Sequence, residues 1–409
     1  MANFFKDWIS FFKPLRIRNV RIFWAGQSCS LIGMWLQVTA MGILAYSYSG
    51  GSGAAVGILS ALNAAPFLLG GMYLGSLGDR FDRKKLLLVV QLMQIAVAIL
   101  LCLLSLMGTL ELWHLYVAGL MMGLAQSTAF PVLQAFIADL VPRDLLLEGG
   151  GTHSLVFNFC RSLGPPLGGL VLVSGGATLA FGGNAVCCLP LLGVLISLKG
   201  YRHSGVAIAS RHAQAKESGL RAVLGDKHLL LVMVSALVQN VFGQALYQIV
   251  PAITYGDPQS TGLILGSIGA GAVVSILCVL PFIRSSARVG LKLSLGTLWM
   301  GGVIGCAGVF PFLHIQQVCF FLAGLATSAL FVMTSSTVQL LAAPRQKTAI
   351  LGLFTTVSVG AQPLAALGWG SMIDSCGVPT TIIFVGSVEV VLSACLLSIP
   401  FWRNWRMVL

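Results

Sequence analysis

Long apolar runs recur along the whole chain, and they constrain its fold more than any other feature. A helix of about 20 residues, rising 1.5 Å per residue, crosses the roughly 30 Å hydrocarbon core of a bilayer. Twelve apolar segments reach about that length: 22–48, 54–77, 86–107, 113–138, 151–174, 178–198, 229–254, 260–283, 291–311, 315–340, 349–372 and 379–401. They predict an all-α integral membrane protein with twelve transmembrane helices.

The composition agrees with a membrane protein. Charged residues make up 9% of the chain and hydrophobic residues 57%, whereas soluble domains carry roughly 25% charged residues. The net charge of +12 would suggest a nucleic-acid partner in a soluble protein. Here the position of the charges along the chain explains them better, and no nucleic-acid partner is expected.

The basic residues predict the topology. All Lys and Arg residues except Arg161, which lies inside span 5, fall in the leader, in the tail, in loops on one side or, for Lys292, at the start of span 9 beside such a loop. The positive-inside rule therefore places both termini and the central loop in the cytoplasm. The predicted organisation is a leader (1–21), a six-helix bundle (22–198), a central loop (199–228), a second six-helix bundle (229–402) and a tail (403–409).

The two halves echo each other at an offset of about 200 residues. "VPRD" (141–144) corresponds to "APRQ" (343–346), and "GPPLGG" (164–169) corresponds to "QPLAALGWG" (362–370). Two related six-helix bundles in tandem are the parallel-repeat plan of one large transporter class, in which the binding site lies between the halves.

A charged tract between spans 2 and 3, "GSLGDRFDRKK" (75–85), carries a family resemblance. Gly75, Asp79, Arg80, Arg83 and Lys84 resemble the loop signature of the major facilitator superfamily, with Asp82 in place of its inner glycine. The stretches 24–50, 77–92 and 158–169 are similar to the branch that contains the enterobactin exporter, macrolide efflux proteins and other proton antiporters.

The resemblance implies a latch at this loop. Asp79 would lie at the N-terminus of span 11, near Thr348, where a negative charge favours the positive end of a helix. Arg83 would pair with Asp139 at the end of span 4. The alternative is that these charges only set the topology and end helices.

Span 5 contains "RSLGPPLGG", which resembles the antiporter signature of exporters. Small residues permit close helix approach, and prolines remove helix hydrogen bonds. A gating role is therefore expected for Gly164, Pro165, Pro166, Gly168 and Gly169. The alternative is ordinary packing, because Gly and Pro are common in membrane helices.

Two charged residues lie deep inside predicted spans. An arginine within a bilayer is costly unless its charge is hydrogen-bonded or hydrated. Arg161 is therefore a candidate anchor for an anionic or oxygen-rich substrate, with Asn158 and Gln126 nearby. It is equally a candidate hydrogen-bond hub between helices. Glu389 is the only acid in the middle of a span. It is the candidate proton carrier, and the alternative is a neutral carboxyl bonded to a neighbouring helix.

The resemblance also implies that spans 1, 4, 7 and 10 line a central cavity. The candidate lining residues are Trp35, Gln37, Gln126, Phe130, Asn240, Gln244, Tyr247, Gln248 and Phe331. Asn240, Gln244 and Gln248 form a polar stripe at four-residue spacing. The alternative for each is interhelical packing, worth about 0.6–2 kcal/mol per hydrogen bond.

Together these features predict a secondary active transporter rather than an enzyme. The leading interpretation is an exporter of a small organic molecule, a siderophore or a drug-like compound, by alternating access and proton antiport across a bacterial-type inner membrane. It would act as a monomer in the lipid bilayer, with no cofactor or metal and a proton gradient as its energy source. The alternative is a lysophospholipid facilitator. A membrane enzyme or signalling protein is disfavoured because no P-loop or HExxH motif occurs.

Overall fold

The computed structural model describes residues 13–142, 145–198, 220–279, 288–342 and 347–406, and these residues are almost entirely helical. Helices α1 to α5 are Arg18–Tyr48, Gly53–Arg80, Arg83–Leu106, Leu112–Leu140 and Leu146–Ser197. Helices α6 to α10 are Lys227–Val238, Ala245–Gln248, Val250–Ile253, Pro258–Val274 and Val289–Val309. Helices α11 to α15 are Leu313–Leu341, Lys347–Thr355, Ala361–Cys376, Val378–Ser398 and Pro400–Arg403. Three π-helical turns lie at Gln239–Gln244, Ser275–Val279 and Thr356–Gly360.

Each predicted apolar segment overlaps helix. Within the described ranges, nine helices are long and apolar enough to cross a membrane. Predicted spans 5 and 6 both lie in α5, where the backbone leaves helical geometry at Gly176 with φ 65° and ψ −167°. That left-handed φ favours glycine because a side chain would clash there. The all-helical membrane fold is thus confirmed, and the count of twelve crossings stays a prediction.

Aspartates begin three of the helices by accepting hydrogen bonds from backbone N–H groups that have no partner within the helix. Asp82 accepts from the backbone N–H of Lys84 at 2.8 Å at the start of α3. Asp226 and Asp257 do the same at α6 and α9. Such a cap contributes about 1 kcal/mol. The Asp82 that departs from the superfamily signature therefore has a local structural role.

The chain divides into two compact units. Unit 1 comprises Met1–Leu44 and Leu62–Ala209, and unit 2 comprises Ala45–Ala61 and Ser210–Leu409. The division differs from the expected bundles at one place, because the hairpin Ala45–Ala61 groups with unit 2 rather than with the first bundle.

One carboxylate explains why this hairpin belongs to unit 2. Asp374, near the end of α13, accepts hydrogen bonds from the Ser52 hydroxyl at 2.7 Å, the Gly53 N–H and the Ala54 N–H at 3.0 Å. It therefore caps the start of α2 from a helix more than 300 residues away in sequence. We call this arrangement the Asp374 clamp.

Glycines allow the clamped helices to touch. Gly53 on α2 and Gly370 on α13 lie so close that a Cβ on either would collide with the backbone of the other. One turn further on, a Cβ on Gly57 would lie 2.6 Å from the Cα of Leu367. Gly53 and Gly57 on α2 face Gly370 and Ala366 on α13. These small residues, four apart on each helix, form the close-packed interface expected between membrane helices.

We predict that Asp374→Ala increases local opening of the Ala45–Ala61 hairpin around the start of α2. Charge-assisted hydrogen bonds contribute about 2 kcal/mol, which corresponds to roughly 30-fold faster amide exchange when they are lost. Hydrogen–deuterium exchange over residues 49–57 measures this effect. The matched control is Asp257→Ala, which removes the cap bond to the Ser260 N–H and should speed exchange only at the start of α9. Unchanged exchange at 49–57 in Asp374→Ala would contradict the clamp.

Candidate functional site

The charged tract at the start of α3 joins three helices of unit 1. Arg83 forms the predicted ion pair with Asp139 at 2.7 Å, and their side chains are 7% and 6% exposed. The neighbouring Lys84 Nζ donates to the carbonyl of Leu198, just past the end of α5, at 2.7 Å. These charges therefore connect the start of α3 to the ends of α4 and α5, in addition to any effect on topology.

The remainder of the predicted latch lies outside the described part of the structure. This applies to the side chains of Gly75, Asp79, Arg80 and Thr348. The interaction of Asp79 with span 11 therefore stays a prediction.

The glycines of span 5 provide the close helix approach expected of them. A Cβ on Gly164 would collide with the Trp35 side chain, and a Cβ on Gly168 would lie 3.1 Å from the Cα of Leu36. Gly169 is buried. Helix α5 continues through Pro165 and Pro166, and its only non-helical residue is Gly176. The signature thus brings α5 onto α1, while its gating role stays a prediction.

Arg161 lies beside the same contact. Its guanidinium carbon is 5.8 Å from the centre of the Trp35 ring, which is within the range of a cation–π interaction. Trp35 also meets Phe157 edge-on at 6.0 Å. Arg161 and Asn158 are half-buried and both engage other groups. The arrangement accommodates the cation between α1 and α5, and both hypotheses for Arg161 remain open.

The other unit 1 candidates divide between packing and a cavity. Gln37 is fully buried, accepts from Asn184 Nδ2 at 2.6 Å and donates to Met122 Sδ. Its contacts are those that the packing alternative requires. Gln126 and Phe130 line a cavity inside unit 1.

In unit 2, the polar stripe of span 7 bonds to α13. Gln362 Nε2 donates to Asn240 Oδ1 at 2.6 Å, and Gln248 Nε2 donates to Gln362 Oε1 at 3.3 Å. Gln362 was not among the predicted site residues; its only signal is its place in the internal echo at 362–370. Because Gln239–Gln244 is π-helical, a four-residue spacing does not keep these residues on a regular α-helical face.

The remaining unit 2 candidates also have neighbours in the bundle. The Tyr247 hydroxyl shares a hydrogen bond with Thr327 at 2.9 Å, and Gln244 is buried. Phe331 is 42% exposed and lies 6.1 Å from the ring of Phe354. These contacts are compatible with helix packing, and substrate binding by these residues stays a prediction.

Glu389 lies where α14, α10 and the π-helical turn of span 7 meet. It is fully buried, and among the described residues no group hydrogen-bonds either carboxyl oxygen. A Cβ on Gly243 would be 3.3 Å from its Oε1, and a Cβ on Gly301 would be 2.9 Å from its own Cβ. Glycine at these two positions lets α10 and the π-helical turn pack closely around Glu389.

Two units of long apolar helices, each with polar and charged side chains in its interior, define a multi-pass membrane protein. A family model described as "Transmembrane secretion effector" matches residues 9–405. The chain therefore belongs to this family of major facilitator superfamily transporters.

Curated relatives extend the similarity over most of the chain. The chain is 27% identical to the enterobactin exporter EntS of Escherichia coli O139:H28 (strain E24377A / ETEC) over 332 residues, which is 78% of this chain and 76% of the relative. The same values hold for the enterobactin exporter EntS of Shigella boydii serotype 18 (strain CDC 3083-94 / BS512).

Solved structures confirm the fold. The nucleoside transporter NupG matches with a TM-score of 0.73 at 12% identity, over 93% of this chain and 99% of that one. A D-xylose-proton symporter matches with a TM-score of 0.70 at 14% identity, over 93% of this chain and 97% of that one. Identities this low support the shared fold alone.

We predict that the Arg83–Asp139 pair contributes to stability mainly because either charge, left buried without the other, would be strongly unfavourable. Removing one partner of a buried pair costs about 3–5 kcal/mol, whereas replacing both by apolar residues is often neutral. Arg83→Met and Asp139→Leu should each lower the thermal midpoint in detergent, and the double variant should recover most of the loss. Lys85→Met, at an exposed neighbouring cation, is the control and should change little. A double variant as unstable as the sum of the singles would refute the pairing.

Proposed function

We propose that this chain exports a small organic molecule across a bacterial inner membrane in exchange for protons, by alternating access. The observation that carries the direction of transport is the similarity to enterobactin exporters over about three quarters of both chains. The family description, a secretion effector, supports the same direction. The termini face the cytoplasm in this proposal, and the transporter acts as a monomer.

Proton coupling rests on Glu389. Its carboxyl is fully buried, with no hydrogen-bond partner among the described residues, and burying an unpaired charge in a membrane protein is unfavourable. A carboxyl that carries a proton while buried and releases it when hydrated supplies the coupling that antiport requires. The contact of Glu389 with the π-helical turn of span 7 supports this role, because π-helical turns occur frequently at functional sites.

The cargo is a molecule rich in oxygen, such as a siderophore. Arg161 supports an anionic or hydroxylated cargo, because its guanidinium presents several hydrogen-bond donors in the interior of unit 1. The amide groups of Gln126 in span 4 and Asn158 in span 5, which the sequence offers as further binding groups, suit oxygen atoms that accept or donate hydrogen bonds.

Transport into sealed vesicles tests the proposal directly. Purified protein in inside-out proteoliposomes should accumulate a catecholate siderophore when the lumen is acidic, and accumulation should stop when a protonophore dissipates the gradient. A drug-like cation and a labelled lysophospholipid, offered in parallel, define the cargo class. Movement of lysophospholipid alone, independent of the gradient, would overturn the proposal in favour of a lipid facilitator.

We predict that Glu389→Gln separates proton coupling from substrate movement. The amide cannot release a proton, so uphill accumulation driven by the pH gradient should be lost while exchange of cargo against cargo persists. Asp257→Asn, at the exposed cap of α9, is the control and should retain coupled transport. Unchanged gradient-driven accumulation in Glu389→Gln would remove it as the proton carrier.

A further inference from the structure

A cavity with several polar side chains in a mainly apolar lining lies inside unit 1, among α1, α3, α4 and α5. Its volume is about 70 Å³, whereas a single water requires roughly 10–15 Å³ of such space. Glutamine side chains from three of these helices line it: Gln27, Gln91, Gln94 and Gln126. The cavity therefore has both the room and the hydrogen-bonding groups to hold several waters.

His153 on α5 lines the same cavity. Its side chain is 8% exposed, and among the described residues no group hydrogen-bonds its Nδ1. Trp24 covers the ring at a centroid distance of 5.3 Å, and Phe157 lies at 6.4 Å. Leaving a buried nitrogen without a hydrogen bond costs about 1–3 kcal/mol. Because the cavity has room for water, we expect a water molecule there to hydrogen-bond His153 Nδ1.

Among the described side chains, no other titratable group lines this cavity from α1, α3, α4 or either half of α5. The Cys188 thiol contacts the Ser30 hydroxyl at 3.7 Å and Asn184 Oδ1 at 3.6 Å, and thiols ordinarily titrate at about pH 8.5. On α5 itself, Arg161 lies about 12 Å from His153 along the helical rise. The side chain of Glu148, five residues before His153, lies outside the described residues. Imidazole is the side chain that ordinarily changes charge between about pH 5 and 8.

We infer that His153 is a proton-binding site of the transport cycle. The Nδ1 nitrogen takes a proton from cavity water to give an imidazolium, whose charge the glutamine amide oxygens solvate. The proton returns to water when the site is emptied. This inference rests on the proposed proton antiport and deepens it, because it places a proton site in unit 1 in addition to Glu389 in unit 2.

Trp24 provides a built-in reporter for the test. An imidazolium quenches the fluorescence of a neighbouring indole more strongly than a neutral imidazole does. Protonation of His153 should therefore lower the fluorescence intensity of Trp24. The intrinsic tryptophan fluorescence of the purified full-length protein in nanodiscs is titrated from acid to neutral pH. The native protein should show a pH-dependent change in intensity, the Trp24 component, that is absent in His153→Gln. The same component should disappear in Trp24→Phe, which leaves the histidine in place. A component that persists in His153→Gln would overturn the inference.

Two other histidines stack on tryptophans and serve as matched controls. His228 lies 4.5 Å from Trp405, and His114 lies 3.7 Å from Trp113. His228→Gln and His114→Gln should leave the Trp24 component unchanged. An elution profile like that of the native protein confirms that each variant is folded.

Transport tests whether the proton bound at His153 belongs to the cycle. The pH dependence of siderophore accumulation should flatten on its acid side in His153→Gln, while the KM for the siderophore stays the same. An unchanged pH profile would overturn the role in the cycle, even if the fluorescence component is lost. If the native protein shows no proton-driven transport, the antiport proposal fails. The fluorescence titration, which needs no substrate, then decides alone whether His153 binds a proton.

Discussion

Hydrocarbon offers no hydrogen-bond partner, and the interior of this protein is organised around that constraint. A polar side chain placed inside an apolar helix is costly unless it finds a partner within the bundle or in bound water. Gln37 meets Asn184 in unit 1, and Gln362 joins Asn240 to Gln248 in unit 2. These amide pairs fix which faces of the helices meet, because a rotated helix would leave an amide unsatisfied.

Glycine performs the complementary task of bringing backbones together. Gly164 and Gly168 let α5 approach α1, and Gly53 and Gly370 let α2 approach α13. Where backbones are this close, a single carboxylate such as Asp374 can hold several N–H groups of another helix. Close approach and polar satisfaction therefore reinforce each other at the clamp. Alternating access requires parts of such contacts to open and re-form, which hydrogen bonds and small-residue interfaces permit.

The sequence predicts the features that depend on local pattern or on a specific motif. The apolar runs predict the helices, the family resemblance of the charged tract implies the Arg83–Asp139 pair, and the span 5 signature predicts close packing at Gly164. The π-helical turn at Gln239–Gln244 has no sequence signal, because a hydrophobic pattern does not mark one extra residue in a turn. The Asp374 clamp joins segments more than 300 residues apart, and an aspartate near the end of an apolar run suggests only a helix terminus.

His153 and Gln362 were missed for a similar reason. A single histidine or glutamine within an apolar run does not indicate which neighbours it meets. The cavity around His153 is lined by four glutamines that three different helices bring together, along with apolar side chains. Such convergence is a property of packing, whereas the inward-facing Glu389 is identifiable from its depth in the span alone.

The central claim is that polar atoms without protein partners in the helix bundles mark the places where water and protons enter. An experimental density map of the protein in a lipid nanodisc, at a resolution that shows ordered water, tests it most directly. The account predicts water density within hydrogen-bond distance of His153 Nδ1 and of the glutamine amides around it. A dry cavity filled by side chains, or a protein group bonded to that nitrogen, would contradict the account.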